Sequence, residues 1–328
     1  MTTRREFLAG AAAGLSTAAS GSVWARDPGL LTATDVHVKD YPTVAAVEWL
    51  GRELQSATQG RLRLRMYHSG QLGREAEAID MARFGAIDIT RVYSGALNNA
   101  FPLTQMLSLP YTFDSVAHLR RALDGEVGRR VLEGFARRDL VGLALYDCGA
   151  RCFYNVRRPI RTPADMHGLK FRVPSSDIFM RMIRLLGGNP TPLAYGEVFS
   201  ALQTHLIDGA ENNLRSYHSS RQFEAARYWS RSEHSYAPDV LLMSRRRYEA
   251  LAPADRGLLH EIARASVGVM RARWDESETQ SRQTLLDAGV QMNDCDLPAF
   301  RKAVAPLLDD YHRVPALEAL YREIRSLA

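Results

Sequence analysis

Lysine is nearly missing from this chain of 328 residues. Only Lys39, Lys170 and Lys302 occur, so almost all positive charge is carried by arginine. A formal charge of +5 at pH 7 would by itself suit an acidic partner. The basic residues are spread along the sequence, however, and no nucleic-acid-binding motif accompanies them, so nucleic acid is excluded as the expected partner. Cysteine is scarce as well. Cys148, Cys152 and Cys295 make an odd number, and four extended steps from 148 to 152 span roughly 13 Å, beyond the Cα separation of about 7 Å that a disulfide tolerates. Free, mostly buried thiols are expected. No histidine pair or second cysteine pair completes a metal site, and GxSxG, HExxH, a Walker loop and a dinucleotide fingerprint are all absent. Neither a metal nor a cofactor is expected, and the chain does not read as an enzyme.

No run is apolar enough to cross a membrane. The mildly apolar stretch from Ala9 to Trp24 is interrupted by glycine, serine and threonine and falls short of the roughly 20 apolar residues of a spanning helix. It follows Thr3, Arg4, Arg5, Glu6, Phe7 and Leu8, which resemble a twin-arginine export signal with Ala9 where that pattern often has lysine. A small-residue cleavage site at Val23-Trp24-Ala25 closes the segment. Residues 1–25 are therefore expected to be removed, leaving a mature protein free in a bacterial periplasm.

What is present is enough chain for two compact domains, 46% hydrophobic and 24% charged, as in a soluble globular protein. LLTATDVH reads as a first strand. Val44, Val47, Leu50, Leu54 and Ala57 then recur at helical spacing up to Gly60. In RLRLRMY, Leu62, Leu64 and Met66 alternate with arginines, which marks a strand with one wet face. A helix over 75–84 and a strand in GAIDITRVY follow, and this alternation argues for a mainly parallel sheet in an α/β domain. Asp114 is expected to cap a helix carrying Val116, Leu119 and Leu123, and 140–146 is an apolar strand. The theme repeats through strand 169–173, helix 176–186, strand 189–193 and helix 195–204. Residues 253–288 read as one long helix or as two broken near Gly268.

The stretches FYNVRRPIRTPADMHGLKFRVP, PTPLAYGEVFSALQT and IDGAENN, with DYPTVAAVEWLGREL, GRLRLRMYHSGQLGREAEAIDMARFGAIDIT and LSLPYTF upstream, resemble the periplasmic solute receptors of tripartite ATP-independent (TRAP) transporters. The matches run in order over most of the exported chain. The resemblance implies a two-lobed, class II-like α/β binding protein with discontinuous domains, hinge strands and a long helix spanning both lobes. Lobe I would take residues 26–149 plus about 238–277, and lobe II 150–237 plus about 278–328. It implies a small organic acid as ligand and the TRAP membrane permease subunits as partners.

In KFRVP, Arg172 lies opposite Phe171 and Val173 on a strand that Pro174 ends, near the carboxyl edge where open α/β sheets place ligands. A planar guanidinium there suits a carboxylate. The resemblance makes Arg172 the principal carboxylate clamp, with Arg151 as a second positive group and Asn212 as a donor. For Arg151 a surface ion pair with Asp147 is the competing reading, and for the asparagines, turn chemistry. Tyr195 matches an aromatic that lies against the ligand. Glu75 matches an acidic position that accepts hydrogen bonds in sugar-acid receptors. His37 and Asp35 close the first strand facing the crevice, and Arg91 adds a third positive group or pairs with Asp88. Tyr93 and His234 are further candidates. Carboxylate readers combined with hydroxyl-reading polar groups favour a hexuronate such as glucuronate or galacturonate over a C4-dicarboxylate. A sugar-acid enzyme or a ligand sensor is the reading from another class.

Overall fold

A computed structural model describes residues 27–328; the export signal expected over residues 1–25 lies outside the described residues. Eleven strands among them form two sheets. They are β1 (Leu30–Thr34), β2 (Arg63–Tyr67), β3 (Ile89–Tyr93), β4 (Leu140–Tyr146), β5 (Arg151–Asn155), β6 (Lys170–Val173), β7 (Asn189–Pro192), β8 (Gly209–Asn213), β9 (Tyr228–Ser235), β10 (Asp239–Ser244) and β11 (Gln291–Asp294). The first sheet runs β2-β1-β3-β10-β4 and the second β11-β9-β5-β8-β6-β7. Each sheet is the centre of one lobe.

The expectation of a mainly parallel sheet holds only for β1, β2 and β3. β10 is inserted antiparallel between β3 and β4, because the chain re-enters the first lobe from the second and has to run the opposite way. The second sheet is likewise mixed: β5 is antiparallel to both neighbours, while β6 is parallel to β7 and β8.

The helices that cover the sheets follow the apolar spacing. Val44, Val47, Leu50 and Leu54 of helix Pro42–Ala57 are all buried in the first core, as positions three and four apart on one helical face require. One cap differs from expectation. Ser115, not Asp114, accepts the amide of His118 at the start of helix Val116–Asp124, because its backbone is extended and its short hydroxyl reaches the third helical amide. Asp114 instead meets Arg325 at 2.9 Å.

The chain crosses between lobes at 147–150 and again at 236–238. Tyr146 pairs with Asp239 and Arg151 pairs with Ser235, so the two crossings run side by side. Gly149 sits in the first at φ +65°, a left-handed conformation that glycine adopts without steric cost. A third tie is the helix Pro253–Asp287, unbroken at Gly268 over its 35 residues. Its Leu259, Ile262, Ala263, Met270 and Trp274 lie in the first-lobe core, and Leu285 lies in the second-lobe core with Tyr154, Leu202 and Trp229. The cysteines are all free, Cys148 and Cys152 buried.

Candidate functional site

Strand ends and the turns after them supply the walls of a cavity between the lobes. Val36, His37, Glu75, Arg91, Tyr93 and Asp239 come from the first lobe, and Arg151, Arg172, Pro174, Tyr195, Asn212, Asn213 and Ser216 from the second. About 30 Å³ remains between the walls for the centres of water-sized molecules, room for about one or two waters. A larger guest needs the lobes to part. A wider groove of about 790 Å³ lies on the outer face of the first lobe, but its floor is aliphatic and its rim residues Arg129 and Arg271 are bound to Glu126, Glu133 and Asp124. The chemistry therefore points to the interlobe cavity.

Arg172 is 4% exposed. Its Nε donates to the carbonyl of Leu193 at 2.8 Å, and among the described residues no carboxylate forms an ion pair with it. Burial pulls its pKa down, the sign of a cation short of compensating charge, although an arginine stays protonated. The strand fixes it: Arg172 pairs with Thr191 on one side and Ala210 on the other, so the guanidinium leaves the sheet next to the turn at Pro174.

Arg151 is not a surface residue paired with Asp147. It is buried, with Nε to Glu211 Oε2 at 2.6 Å, Nη2 to Glu211 Oε1 at 2.8 Å, and Nη1 to Asn212 Oδ1 at 3.0 Å. Asp147 is taken by Arg120 and Arg271. Burial opposes ionisation of Glu211, but Arg151 and His234 outweigh it and hold the carboxyl at about 2. Arg151 also lies over the Tyr93 ring, 4.3 Å from its centroid. The two asparagines divide the expected roles. Asn213 accepts the Ser216 amide at 2.7 Å and caps helix Leu214–Ser219, whereas the amide oxygen of Asn212, also on the cavity wall, anchors Arg151.

On the facing wall Arg91 is 1% exposed and surrounded by acids. It grips Asp35 through Nε at 2.8 Å and through Nη2. Its Nη1 lies 3.4 Å from Glu75 and 3.3 Å from Asp239. Asp88, the alternative partner named from sequence, accepts from Thr32 instead. Asp35 is not on the cavity wall; it stands behind Arg91, with its oxygens also taking the hydroxyl of Thr43 and the amide of His37. Burial raises the pKa values of Glu75 and of Asp239, and the shared Arg91 compensates only in part. For Asp35 the two-pronged Arg91 contact overcomes burial and lowers it.

His37 stacks on Tyr41 with ring centroids 3.8 Å apart and meets the edge of Tyr195 at 4.9 Å. Burial and the positive charge of Arg91 push it down to about 3, so it is neutral. Its Nδ1 and the hydroxyl of Tyr93 are buried without a hydrogen-bond partner among the described residues. Sequence reading passed over Asp239, Ser216 and Glu211. The last stands inside GAENN, one position before Asn212, where a buried strand position is an improbable place for an unpaired acid; that signal calls for a cationic partner without saying which.

The model of the bacterial extracellular solute-binding protein family 7 matches residues 34–313. The chain belongs to this family. A curated solute-binding protein from Chromohalobacter salexigens is 38% identical over 294 residues, covering 89% of this chain and 88% of its relative. Among solved structures, a TRAP periplasmic solute binding protein from Bradyrhizobium sp. BTAi1 in complex with α/β-D-galacturonate is 43% identical, with TM-score 0.89 over 90% of this chain and 99% of that one. A TRAP periplasmic solute binding protein from Chromohalobacter salexigens with bound D-glucuronate is 37% identical, with TM-score 0.88 over 91% and 100%. This family 7 chain thus has the two-lobed fold of the TRAP solute-binding proteins. Among its described residues no helix is long and apolar enough to cross a membrane.

Proposed function

We propose that the protein is the periplasmic receptor of a TRAP transporter, that it binds a hexuronate such as glucuronate or galacturonate, and that it passes this ligand unaltered to the membrane permease subunits. Export by the twin-arginine route follows from the Arg4-Arg5 signal. The observation that carries the reading is Arg172, a buried cation on the second-lobe wall that forms no ion pair with an acid among the described residues. A carboxylate entering the closed cleft loses its water, at a cost of several kcal/mol per ion unless it is paired. Two charge-assisted hydrogen bonds from one guanidinium supply about 1.5 to 3 kcal/mol each, a large part of the roughly 8 kcal/mol of a micromolar complex.

Asn212 and Arg151 support the same carboxylate, with Arg151 acting more as a neutralised scaffold than as a free clamp. Glu75, His37, Arg91 and Tyr195 face the remainder of the ligand, where acceptors suit sugar hydroxyls and the Tyr195 ring suits the apolar face of a pyranose. Asp35 serves by holding Arg91. The uronates bound to the neighbouring structures support this choice. In this reading lobe I comprises 26–149 and about 238–277, and lobe II 150–237 and about 278–328, whose last helix, Pro315–Ser326, reaches back onto first-lobe helices Pro102–Ser108 and Glu126–Gly134; closure turns about the two crossings. Calorimetric titration of the purified mature protein with glucuronate, galacturonate, succinate and malate tests the reading. Tight binding of a uronate with none of succinate is expected; the reverse preference rules the uronate reading out.

A further inference from the structure

Asp239 occupies a place that follows from the topology. It is the first residue of β10, directly after the chain has crossed back at 236–238, and it pairs with Tyr93 on one side and Tyr146 on the other. This register sets its carboxyl beside Arg91, with Oδ2 3.3 Å from Nη1. Glu75 Oε1 meets the same nitrogen at 3.4 Å. Asp35 already holds the other edge of that guanidinium. One buried cation therefore serves three carboxylates of the first lobe, Glu75 and Asp239 on the wall and Asp35 behind it, whereas on the second-lobe wall Arg151 and Arg172 have one carboxylate, Glu211, between them. The two faces of the cleft carry opposite surpluses.

We propose that Asp239, acting with Glu75, is the residue that makes the cleft selective for acids with a single carboxylate. It admits a sugar acid whose far end offers hydroxyls and rejects sugar diacids and short dicarboxylates. This inference rests on the uronate reading above. Hydroxyls donate to carboxylate oxygens, so a uronate finds a complement on each wall. A second carboxylate meets like charge in a closed, poorly screened space, which is discrimination by repulsion. Asp35 contributes less to this contrast, because both its oxygens are occupied and it stands off the wall.

A proton shared between Glu75 and Asp239 would let either acid mask the loss of the other, so the contribution of Asp239 is read with Glu75 already neutralised. Dissociation constants for glucuronate and galacturonate, and for the diacids glucarate and galactarate, are measured near neutral pH on the wild type, Glu75→Gln, and Glu75→Gln/Asp239→Asn. The wild type is expected to favour uronate over diacid by at least about a hundredfold, and the step from single to double variant to narrow that preference at least about tenfold. Asp239→Ser in the same background makes the comparison if the asparagine variant does not fold. Equal preference in the single and double variants overturns the role of Asp239 while leaving the receptor reading intact; absence of uronate binding by the wild type overturns both.

Discussion

A guanidinium and an ammonium carry the same charge, but only the first presents two parallel donors in a fixed plane. Arg172→Lys should therefore weaken glucuronate binding at least about tenfold, the equivalent of about 1.4 kcal/mol. Isothermal calorimetry reads this directly, and unchanged affinity removes Arg172 from the clamp. His37 makes a second prediction, on stability. Its folded pKa lies near 3 against 6.5 in a free side chain, so between those values the unfolded chain holds a proton that the folded one lacks. Stability then falls as pH drops through this window, by up to about 1.4 kcal/mol per pH unit. Thermal melts of wild type and His37→Asn between pH about 6.5 and 4 should differ in slope, the variant being flatter; parallel curves count against a neutral buried imidazole. At this scale the sequence disclosed residue types better than partners. The place of Arg172 on the cavity wall was legible because Pro174 ends its strand. The pairing of Arg151 with Glu211 was not, since β5 and β8 are brought together by a register that no local pattern prints. Asp239 was silent for the same reason: nothing near it in sequence says that Arg91 lies on the next strand.

Among the elements, the crossings and the long helix were the hardest to read. Apolar periodicity gave helix Pro42–Ala57 and an almost unbroken apolar run gave strand Leu140–Tyr146, but periodicity left Pro253–Asp287 open to a break at Gly268. In the structure Gly268 is a plain helical position, where a Cβ meets nothing within 4 Å. Gly268→Ala should consequently raise stability by up to about 1 kcal/mol. Gly149→Ala should do the opposite. Its φ of +65° is one that a side chain adopts with strain, and the added methyl group would lie 3.3 Å from Trp274 Nε1, so a loss of at least about 1 kcal/mol is expected. Chemical denaturation of both variants checks the pair; a stabilised Gly149→Ala protein contradicts the description of the crossing. The antiparallel β10 was beyond a local reading, because strand direction depends on where the chain has been and leaves no mark in hydrophobic alternation.

For the whole molecule, the narrow cavity implies motion. Only about 30 Å³ lies between the walls, so a sugar acid is received by a more open form and stabilises a closed one through contacts made to both lobes at once. Small-angle scattering of the mature protein should show the radius of gyration falling when glucuronate is added at saturating concentration. A radius that stays constant indicates that the lobes are fixed, and entry to the site then needs another path.

Two neighbouring strands and one continuous helix run between the halves, and helix Pro315–Ser326 packs from the second onto the first. In the closure proposed above these connections would bend and bring the halves together, as covers do about a spine. Occupancy of a buried pocket would thereby be converted into the spacing of two outer surfaces, a quantity that the membrane partner proposed above would sense without reaching the acid itself.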